Sequence, residues 1–280
     1  MKKPLIILTG PTAVGKTKLS ISLAQAVNGA IISADSMQVY RHMDIGSAKI
    51  RPEEMCGVPH YLIDVLDPSE EFHVVKFVEL AHEAMEKIYA AGQIPIVTGG
   101  TGFYIQALLK EVDFTESHGE LPIRKQLEEK AATEEGAAEL YRELSEVDPA
   151  SAETIHPNNV KRVIRALEYY HETGQKISEH NEEQKQKESP YCSAYFVLND
   201  ERSILYDRID RRVDQMICDG LVDEVFRLKE MGYTRDLVSM QGLGYKELFP
   251  YLAGECTLEE AVYIIKRDTR HFAKRQLTWF

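Results

Sequence analysis

Residues 4–20 of the sequence read PLIILTGPTAVGKTKLS, and this stretch decides the fold. Its apolar run, residues 5–8, is typical of a strand that is covered on both faces in a parallel sheet. The glycine-bounded loop that follows, residues 10–17, matches the pattern GxxxxGK[ST], and helical spacing of apolar residues begins directly after it. In such a loop the backbone amides, the charge of Lys16 and the helix N-terminus together bind an anion. The sequence therefore predicts a phosphate-binding loop.

The loop does not by itself decide which reaction takes place. Nucleotide hydrolases usually add an apolar strand that ends in a metal-binding Asp, and the best match here is the weak segment YLIDV at 61–65. The segment IPIVT at 94–98 runs instead into the glycine-rich turn GGTG at 99–102. The sequence therefore leaves open reactions other than nucleotide hydrolysis. The residues predicted to bind phosphate are Gly10, Pro11, Thr12, Ala13, Val14, Gly15, Lys16 and Thr17, of which Thr17 is also the expected Mg²⁺ ligand.

Strands and helices alternate along the first part of the chain. The segments AIISA at 30–34 and IPIVT at 94–98 predict further strands, and residues 74–91 between them show helical periodicity. This alternation is typical of an α/β fold with a doubly wound parallel sheet. We expect the first part of this P-loop core to cover residues 1–118.

The character of the sequence changes after the core. Residues 119–189 are charged and show helical patterns without convincing strands, which predicts a helical insertion. Its polar end, residues 179–190, predicts a loop. The segment YCSAYFVLN at 191–199 predicts a strand that returns to the sheet. Residues 190–280 are therefore expected to complete the core and to add C-terminal helices.

Composition limits the class of protein. The 280 residues are 44% apolar and 28% charged, with a formal net charge of −12, which is typical of a globular protein without general affinity for polyanions. The four cysteines lie tens of residues apart, so neither a zinc site nor a disulfide framework is expected. No apolar stretch approaches the ~18 residues that span a bilayer. We expect a cytoplasmic protein without a membrane partner.

A carboxylate follows the second predicted strand directly. The segment AIISA runs into Asp35-Ser36-Met37-Gln38, and ligands of open α/β sheets bind outside the carboxyl ends of the strands. Asp35 is therefore expected to face the same crevice as the phosphate loop. A carboxylate in this place acts as a metal ligand or as a base, and a simple turn cap is the structural alternative.

Several segments together resemble one known family. They are GPTAVGKT at 10–17, DSMQVY at 35–40, MDIGSAK at 43–49, GGTGFYIQALL at 99–109, HPNNVKRVIRALE at 156–168 and TRHFAKRQLTWF at 269–280. In this order they are similar to the bacterial tRNA dimethylallyltransferases, the MiaA family. Family members continue a little past the position of Phe280, so a C-terminal tail beyond this sequence is expected.

The resemblance implies a reaction and its residues. Family members transfer a dimethylallyl group from dimethylallyl diphosphate to the exocyclic amine of the adenine immediately 3′ of the anticodon, so that diphosphate leaves and Mg²⁺ assists. Asp35 matches the general base of the family, and Thr101 matches a residue placed against the diphosphate and the target nucleotide. Arg208 sits where the family has a diphosphate-binding arginine, with Arg212 as the alternative. Either arginine could instead lie on a solvated helix face.

The resemblance also implies which residues contact tRNA. Two runs of positive charge, on the insertion and on the last helix, offer the charge that an acidic protein needs to bind a polyanion, although a charge run is often only a solvated helix face. Besides Asp35 and Thr101, the predicted tRNA-binding residues are Ser36, Met37, Gln38, Arg124, Asn159, Val160, Lys161, Arg162, Val163, Arg270 and Lys274.

Two other classes of function remain open at this point. A nucleotide or small-molecule kinase would also use a phosphate loop, a nearby Asp and a mobile helical lid. An RNA-binding GTPase-like module is less favoured because the sequence lacks an NKxD-type segment that reads guanine. Under the leading prediction the partners are tRNA and dimethylallyl diphosphate, and the enzyme is a monomer.

Overall fold

The structure is a computed structural model that describes residues 2–113 and 122–280. It divides the chain into two compact units, one formed by Met1–Leu109 with Ser189–Phe280 and the other by Lys110–Glu188. The second unit therefore begins before residue 119, the start that the sequence predicts for the insertion. The predicted boundary itself, between residues 118 and 119, lies outside the described residues.

The first unit contains a five-stranded parallel sheet. Its strands are β1 (Lys3–Thr9), β2 (Gly29–Ser33), β3 (His60–Tyr61), β4 (Ile94–Gly99) and β5 (Tyr191–Val197), in the spatial order β3-β2-β4-β1-β5. The carboxyl ends of β1, β2 and β4 are therefore neighbours. The weak segment at 61–65 contributes only Tyr61 to β3, because Leu62 and Asp64 have φ angles of 62° and 56°, which end the extended backbone.

Twelve α-helices complete the described residues. They are α1 (Lys16–Val27), α2 (Val74–Ala90), α3 (Gly102–Lys110), α4 (Pro122–Lys130), α5 (Glu134–Val147), α6 (Pro149–Thr154), α7 (Val160–Thr173), α8 (Ile177–Gln186), α9 (Arg202–Cys218), α10 (Leu221–Glu230), α11 (Leu248–Leu252) and α12 (Leu258–Trp279). In the parts of the chain that the structure describes, helices α4 to α8 form the second unit and no strand occurs there.

Both faces of the sheet are covered by helices. Ile31 lies in one apolar cluster with Ala24 of α1, whereas the next residue, Ile32, lies in another with Phe77 of α2. Successive strand residues point to opposite faces, so a strand buried on both sides must be apolar throughout. This explains the continuous apolar runs in the sequence and confirms the predicted doubly wound α/β fold.

The second unit has its own apolar core and one helix that the sequence did not predict. Helix α8 extends to Gln186, so the loop predicted over 179–190 is wrong for its first part. Asp148 accepts hydrogen bonds from the backbone and hydroxyl of Ser178 at 3.0 and 2.6 Å, and Gln184 accepts one from the amide of Asp113 at 3.0 Å. Buried polar contacts thus hold this helix, and they leave no apolar periodicity to detect.

Candidate active site

The phosphate loop joins β1 to α1 through a backbone that needs small residues. Gly10, Ala13 and Gly15 have φ angles of 143°, 64° and 99°. A Cβ atom on Gly10 would lie 2.4 Å from the carbonyl oxygen of Leu198, so only glycine fits there. Helix α1 begins at Lys16, which places its N-terminus at the end of the loop.

Lys16 is held inside the loop. Its ammonium donates hydrogen bonds of 2.8 Å to the carbonyl oxygens of Gly10 and Pro11. Desolvation lowers its pKa to about 8, an effect that Asp35 opposes and Arg212 reinforces. The ammonium is therefore a compact charge with few water contacts, and a bound anion stabilises its charged form.

One cleft collects the residues that follow three neighbouring strands. It is lined by Lys16 and Thr17 after β1, by Asp35 and Gln38 after β2, and by Thr98 and Gly99 at the end of β4. This is the crevice at the carboxyl ends of the strands in which ligands of open α/β sheets bind. The structure therefore brings the predicted phosphate loop and the predicted base together.

Asp35 caps a turn and also faces this cleft. Its Oδ1 atom accepts hydrogen bonds from the amides of Met37 at 2.8 Å and Gln38 at 3.3 Å. Within residues 2–113 and 122–280, no hydrogen bond is made by its Oδ2 atom. The turn-cap and active-site interpretations are thus compatible, because one oxygen fixes the side chain and the other can accept a proton.

The residues after Asp35 are largely engaged with the protein. The side-chain amide of Gln38 accepts a hydrogen bond from the hydroxyl of Ser33 at 3.0 Å and donates one to the backbone carbonyl of Ser47 at 3.4 Å. Met37 packs so closely that a Cβ atom on Gly242 would lie 2.7 Å from its methyl carbon. Ser36 is half-buried. These contacts fix the shape of the turn that carries the carboxylate.

Thr101 lies beside the same turn. Its backbone N–H donates a 3.3 Å hydrogen bond to the carbonyl of Ala34, the residue before Asp35. Its carbonyl accepts a hydrogen bond from the backbone N–H of Tyr104 at the start of α3. A Cβ atom on Gly99 would lie 2.2 Å from the carbonyl oxygen of Ala34. The glycine-rich turn therefore lies directly against the backbone of Ala34, the residue that follows β2, and leaves no room for a side chain at position 99.

The two candidate arginines of α9 have different surroundings. Arg208 forms an ion pair of 2.8 Å with Asp200. Arg212 instead reaches the loop, with its Nη1 atom 3.5 Å from the hydroxyl of Thr12. Although Arg212 keeps more than a third of its surface open to solvent, desolvation by the surrounding protein lowers its pKa, and Asp35 opposes this shift. The geometry favours Arg212 at the phosphate loop.

A buried acid that the sequence did not single out fixes the loop beside the cleft. Glu224 of α10 accepts hydrogen bonds from the amides of Asp44, Ile45 and Gly46 at 3.0, 2.8 and 3.1 Å. The hydroxyl of Tyr245 also donates to Glu224, at 2.7 Å. The available signal was an acid on the apolar face of an amphipathic helix. Its contacts could not be foreseen, because they join residues nearly 180 positions apart.

The basic residues of α12 are partly neutralised. Nη1 of Arg270 lies 2.6 and 2.7 Å from the two carboxylate oxygens of Asp210 in α9, so this partly exposed guanidinium is already paired with a carboxylate of the protein. Lys274 is exposed. Of the two residues that the sequence predicted on this helix, Lys274 is therefore the one that is placed to meet a polyanion.

The second unit carries the other predicted tRNA contacts. Asn159, Lys161 and Arg162 are exposed at the start of α7, and Val160 is half-buried. Val163 is only 1% exposed and lies in the core of the unit, so its side chain packs internally and is not free to contact a partner.

Two arginines on this unit share a buried acid. Glu168 of α7 lies 2.9 Å from Arg165 and 3.5 Å from Arg124, and its side chain is 2% exposed. Arg124 also pairs with Glu128 at 3.1 Å on the surface. Both guanidinium groups are thereby oriented at the edge of the unit, which is a suitable arrangement for binding phosphate oxygens.

The cleft offers few ligands of its own to a metal. Within the described parts of the chain, no group of three or more His, Cys, Asp or Glu side chains could hold a metal ion. Thr17 and Asp35 nevertheless line one cleft, and Mg²⁺ usually takes one or two protein ligands together with substrate phosphate oxygens. The donor set therefore fits Mg²⁺ that arrives with a phosphate.

Within the parts of the chain that the structure describes, no helix has the length and apolar character needed to cross a bilayer.

Comparisons with known proteins point in one direction. Residues 38–280 match the family described as IPP transferase, and residues 3–72 match the one described as isopentenyl transferase. A tRNA dimethylallyltransferase of Lachnoclostridium phytofermentans is 67% identical over 278 residues, which cover 99% of this chain and 88% of the relative. Full-length tRNA isopentenylpyrophosphate transferase from Bacillus halodurans is 48% identical, with a TM-score of 0.74 over 100% of this chain and 87% of that one. A eukaryotic dimethylallyltransferase acting on tRNA has a TM-score of 0.86 at 37% identity, covering 99% and 69% of the two chains.

Proposed function

This chain belongs to the IPP transferase family and is a prenyl transferase of tRNA, and we propose that its donor is dimethylallyl diphosphate and its acceptor the exocyclic amine of the adenine immediately 3′ of the anticodon. One observation carries the proposal. The cleft at the carboxyl ends of β1, β2 and β4 brings a phosphate loop and a carboxylate together. A departing diphosphate and a nucleophile that must lose a proton need these two groups in one place.

The phosphate loop serves the leaving group in this proposal. When the allylic carbon–oxygen bond breaks, the electron pair stays with the diphosphate, which becomes more negative. Loop amides, the ammonium of Lys16 and the guanidinium of Arg212 stabilise that developing charge. Mg²⁺ held by Thr17 and the diphosphate oxygens would add a further positive charge. The diphosphate is released intact, and no phosphoryl group is transferred.

Asp35 serves the nucleophile. The exocyclic amine of adenine is a poor nucleophile because its lone pair is delocalised into the ring. As the new bond from nitrogen to the allylic carbon forms, the nitrogen must lose a proton, and in this proposal Oδ2 of Asp35 accepts it. The hydrogen bonds to Oδ1 hold the carboxylate in one orientation during this step. Thr101, beside Ala34, contacts the extruded nucleotide and the diphosphate.

The anticodon stem-loop contacts charged groups of both units in this proposal. They are Lys274 on α12, Lys161 and Arg162 on α7, and Arg124 on α4, with Asn159 and the turn at 36–38 as further contacts. Arg270 supports these surfaces through its ion pair with Asp210, and Val163 does so from the core of the second unit. Because the acceptor is tRNA, we expect the enzyme to work in the cytoplasm, and we expect a monomer.

The test is a transfer assay with labelled dimethylallyl diphosphate and an unmodified anticodon stem-loop. We expect label in the RNA and release of one diphosphate for each label. A stem-loop with guanine at the target position is the matched control, because guanine lacks the amine at that ring carbon, and it should stay unlabelled. ATP consumption with a phosphorylated product would instead support the kinase alternative, against which the family match already argues.

A further inference from the structure

The last turn of α12 lies against both loops of the cleft. The side-chain amide of Gln276 accepts a 2.9 Å hydrogen bond from the backbone N–H of Thr12 in the phosphate loop and donates a 3.0 Å hydrogen bond to the carbonyl of Gly100 in the glycine-rich turn. Gln276 is only 5% exposed. One buried side chain therefore joins two segments that are nearly 90 residues apart in the chain and to which the proposed function assigns diphosphate and nucleotide.

The glycines of the GGTG turn fit this contact. A Cβ atom on Gly100 would lie 2.0 Å from the side-chain nitrogen of Gln276, and one on Gly102 would lie 2.1 Å from the indole of Trp279. A side chain at either position would therefore have to displace Gln276 or Trp279 of α12, independently of any ligand. A side chain at position 100 would also push the side-chain nitrogen of Gln276 away from the carbonyl of Gly100 and so break this hydrogen bond.

We propose that Gln276 is a positioning residue, which fixes the phosphate loop against the glycine-rich turn so that diphosphate and nucleotide bind in the correct relative position. That diphosphate and nucleotide bind at these two segments rests on the proposed function, whereas the link between the segments does not. Gln276 contacts neither reacting group. It satisfies the Thr12 amide, so that this amide keeps one orientation while its neighbours in the loop face the anion.

The substitution that tests this is Gln276→Met, which keeps the length of the side chain and removes both polar groups. Thr12 N–H and Gly100 C=O then lose their partner at partly buried sites. We expect the dissociation constant for inorganic diphosphate, measured by calorimetry, to rise about tenfold, with a similar fall in kcat. Gln276→Glu keeps an acceptor for Thr12 but cannot donate to Gly100 and adds negative charge beside the loop, so it should also bind diphosphate weakly.

Gln215→Met is the matched control. Gln215 lies on the exposed face of α9 and its side chain donates to Asp219 on the same surface, so the same chemical change should leave diphosphate binding and kcat unchanged. Gly100→Ala provides an independent route, because its methyl group must displace the Gln276 amide. We expect Gly100→Ala to reproduce the defect of Gln276→Met, and the double variant to be no worse than either single one.

The outcomes separate the inference from the proposed function. Diphosphate binding and kcat equal to those of Gln215→Met, with only a lower melting temperature, would reduce Gln276 to a packing residue and overturn the inference. Effects of Gly100→Ala and Gln276→Met that add in full would do the same. Failure of the unaltered enzyme to label RNA would contradict the proposed function, whereas the effect of Gln276→Met on diphosphate binding would still decide this inference.

Discussion

The guanidinium of Arg212 lies 3.5 Å from the hydroxyl of Thr12, although the two residues are 200 positions apart in the chain. Helix α9 thus places a positive charge beside the phosphate loop, which lies near the start of the sequence. Arg208, one turn earlier on the same helix, is paired with Asp200. Two arginines that look equivalent in the sequence therefore have different electrostatic roles in the fold.

The first prediction concerns this pair of arginines. Arg212→Ala should raise the KM for dimethylallyl diphosphate about tenfold or more, because it removes a positive charge that lies beside the phosphate loop. Arg208→Ala is the matched control and should raise it by less than about threefold, since its exposed ion pair contributes little. Steady-state kinetics of both variants decide the matter. A larger effect at Arg208 would show that Arg208 moves onto the donor when substrate binds.

The second prediction is a pH dependence set by Lys16. Its ammonium has a pKa lowered to about 8 in the free protein, and a bound anion raises this pKa because it stabilises the charged form. Between the two pKa values the protein must take up a proton in order to bind diphosphate. The affinity for diphosphate is therefore highest below pH 8 and should fall by up to about tenfold per pH unit above pH 8.

Calorimetry with inorganic diphosphate between pH 7 and pH 9.5 checks this expectation. Lys16→Arg is the control, because a guanidinium stays charged over the whole range. Ionisation of diphosphate itself affects both proteins equally, so the ratio of their affinities isolates Lys16. A ratio that does not change with pH would contradict the lowered pKa.

The third prediction concerns the buried acid of the second unit. Glu168→Gln removes the charge that orients Arg124 and Arg165, and we expect the KM for the stem-loop to rise about threefold to tenfold while the KM for the donor is unchanged. Glu128→Gln is the matched control, because Glu128 pairs with the same Arg124 at an exposed position and should have little effect. Equal effects of the two changes would assign no special role to Glu168.

The fourth prediction concerns salt. If Lys161 and Arg162 neutralise phosphates of the RNA, changing both to Gln should reduce the slope of log affinity against log salt by about 0.7 to 0.9 for each contact. Lys229→Gln, an exposed change on α10, should leave the slope unaltered. An unchanged slope in the double variant would place the RNA elsewhere on the protein.

The sequence predicts the parts of this molecule that depend on local patterns. The apolar runs of β1, β2 and β4 and the GxxxxGK[ST] loop define the sheet and the cleft, because each requires particular residue types at fixed spacing. The placement of Asp35 follows from the general geometry of α/β sheets. The parallel sheet is confirmed, whereas the roles of the site residues stay predictions.

What the sequence misses are contacts between distant segments. Gln276 and Glu224 bond backbone groups far away along the chain, and the spacing of residues contains no signal for such pairs. The sequence also misses the pairing of charges between helices. It predicts Arg270 as part of a basic face, whereas in the structure Asp210 of α9 pairs with it. Helix α8 lacks apolar periodicity altogether, since buried polar contacts hold it.

The most direct test of the account is a single-turnover comparison of the unaltered enzyme with Asp35→Asn. Asparagine can still accept the hydrogen bonds from Met37 and Gln38 through its side-chain oxygen, so the turn is kept while the base is lost. We expect diphosphate binding within about twofold of the unaltered protein and transfer to the stem-loop reduced at least about a hundredfold. Transfer by Asp35→Asn at the unaltered rate would contradict the claim that the phosphate loop and this carboxylate act together on donor and adenine.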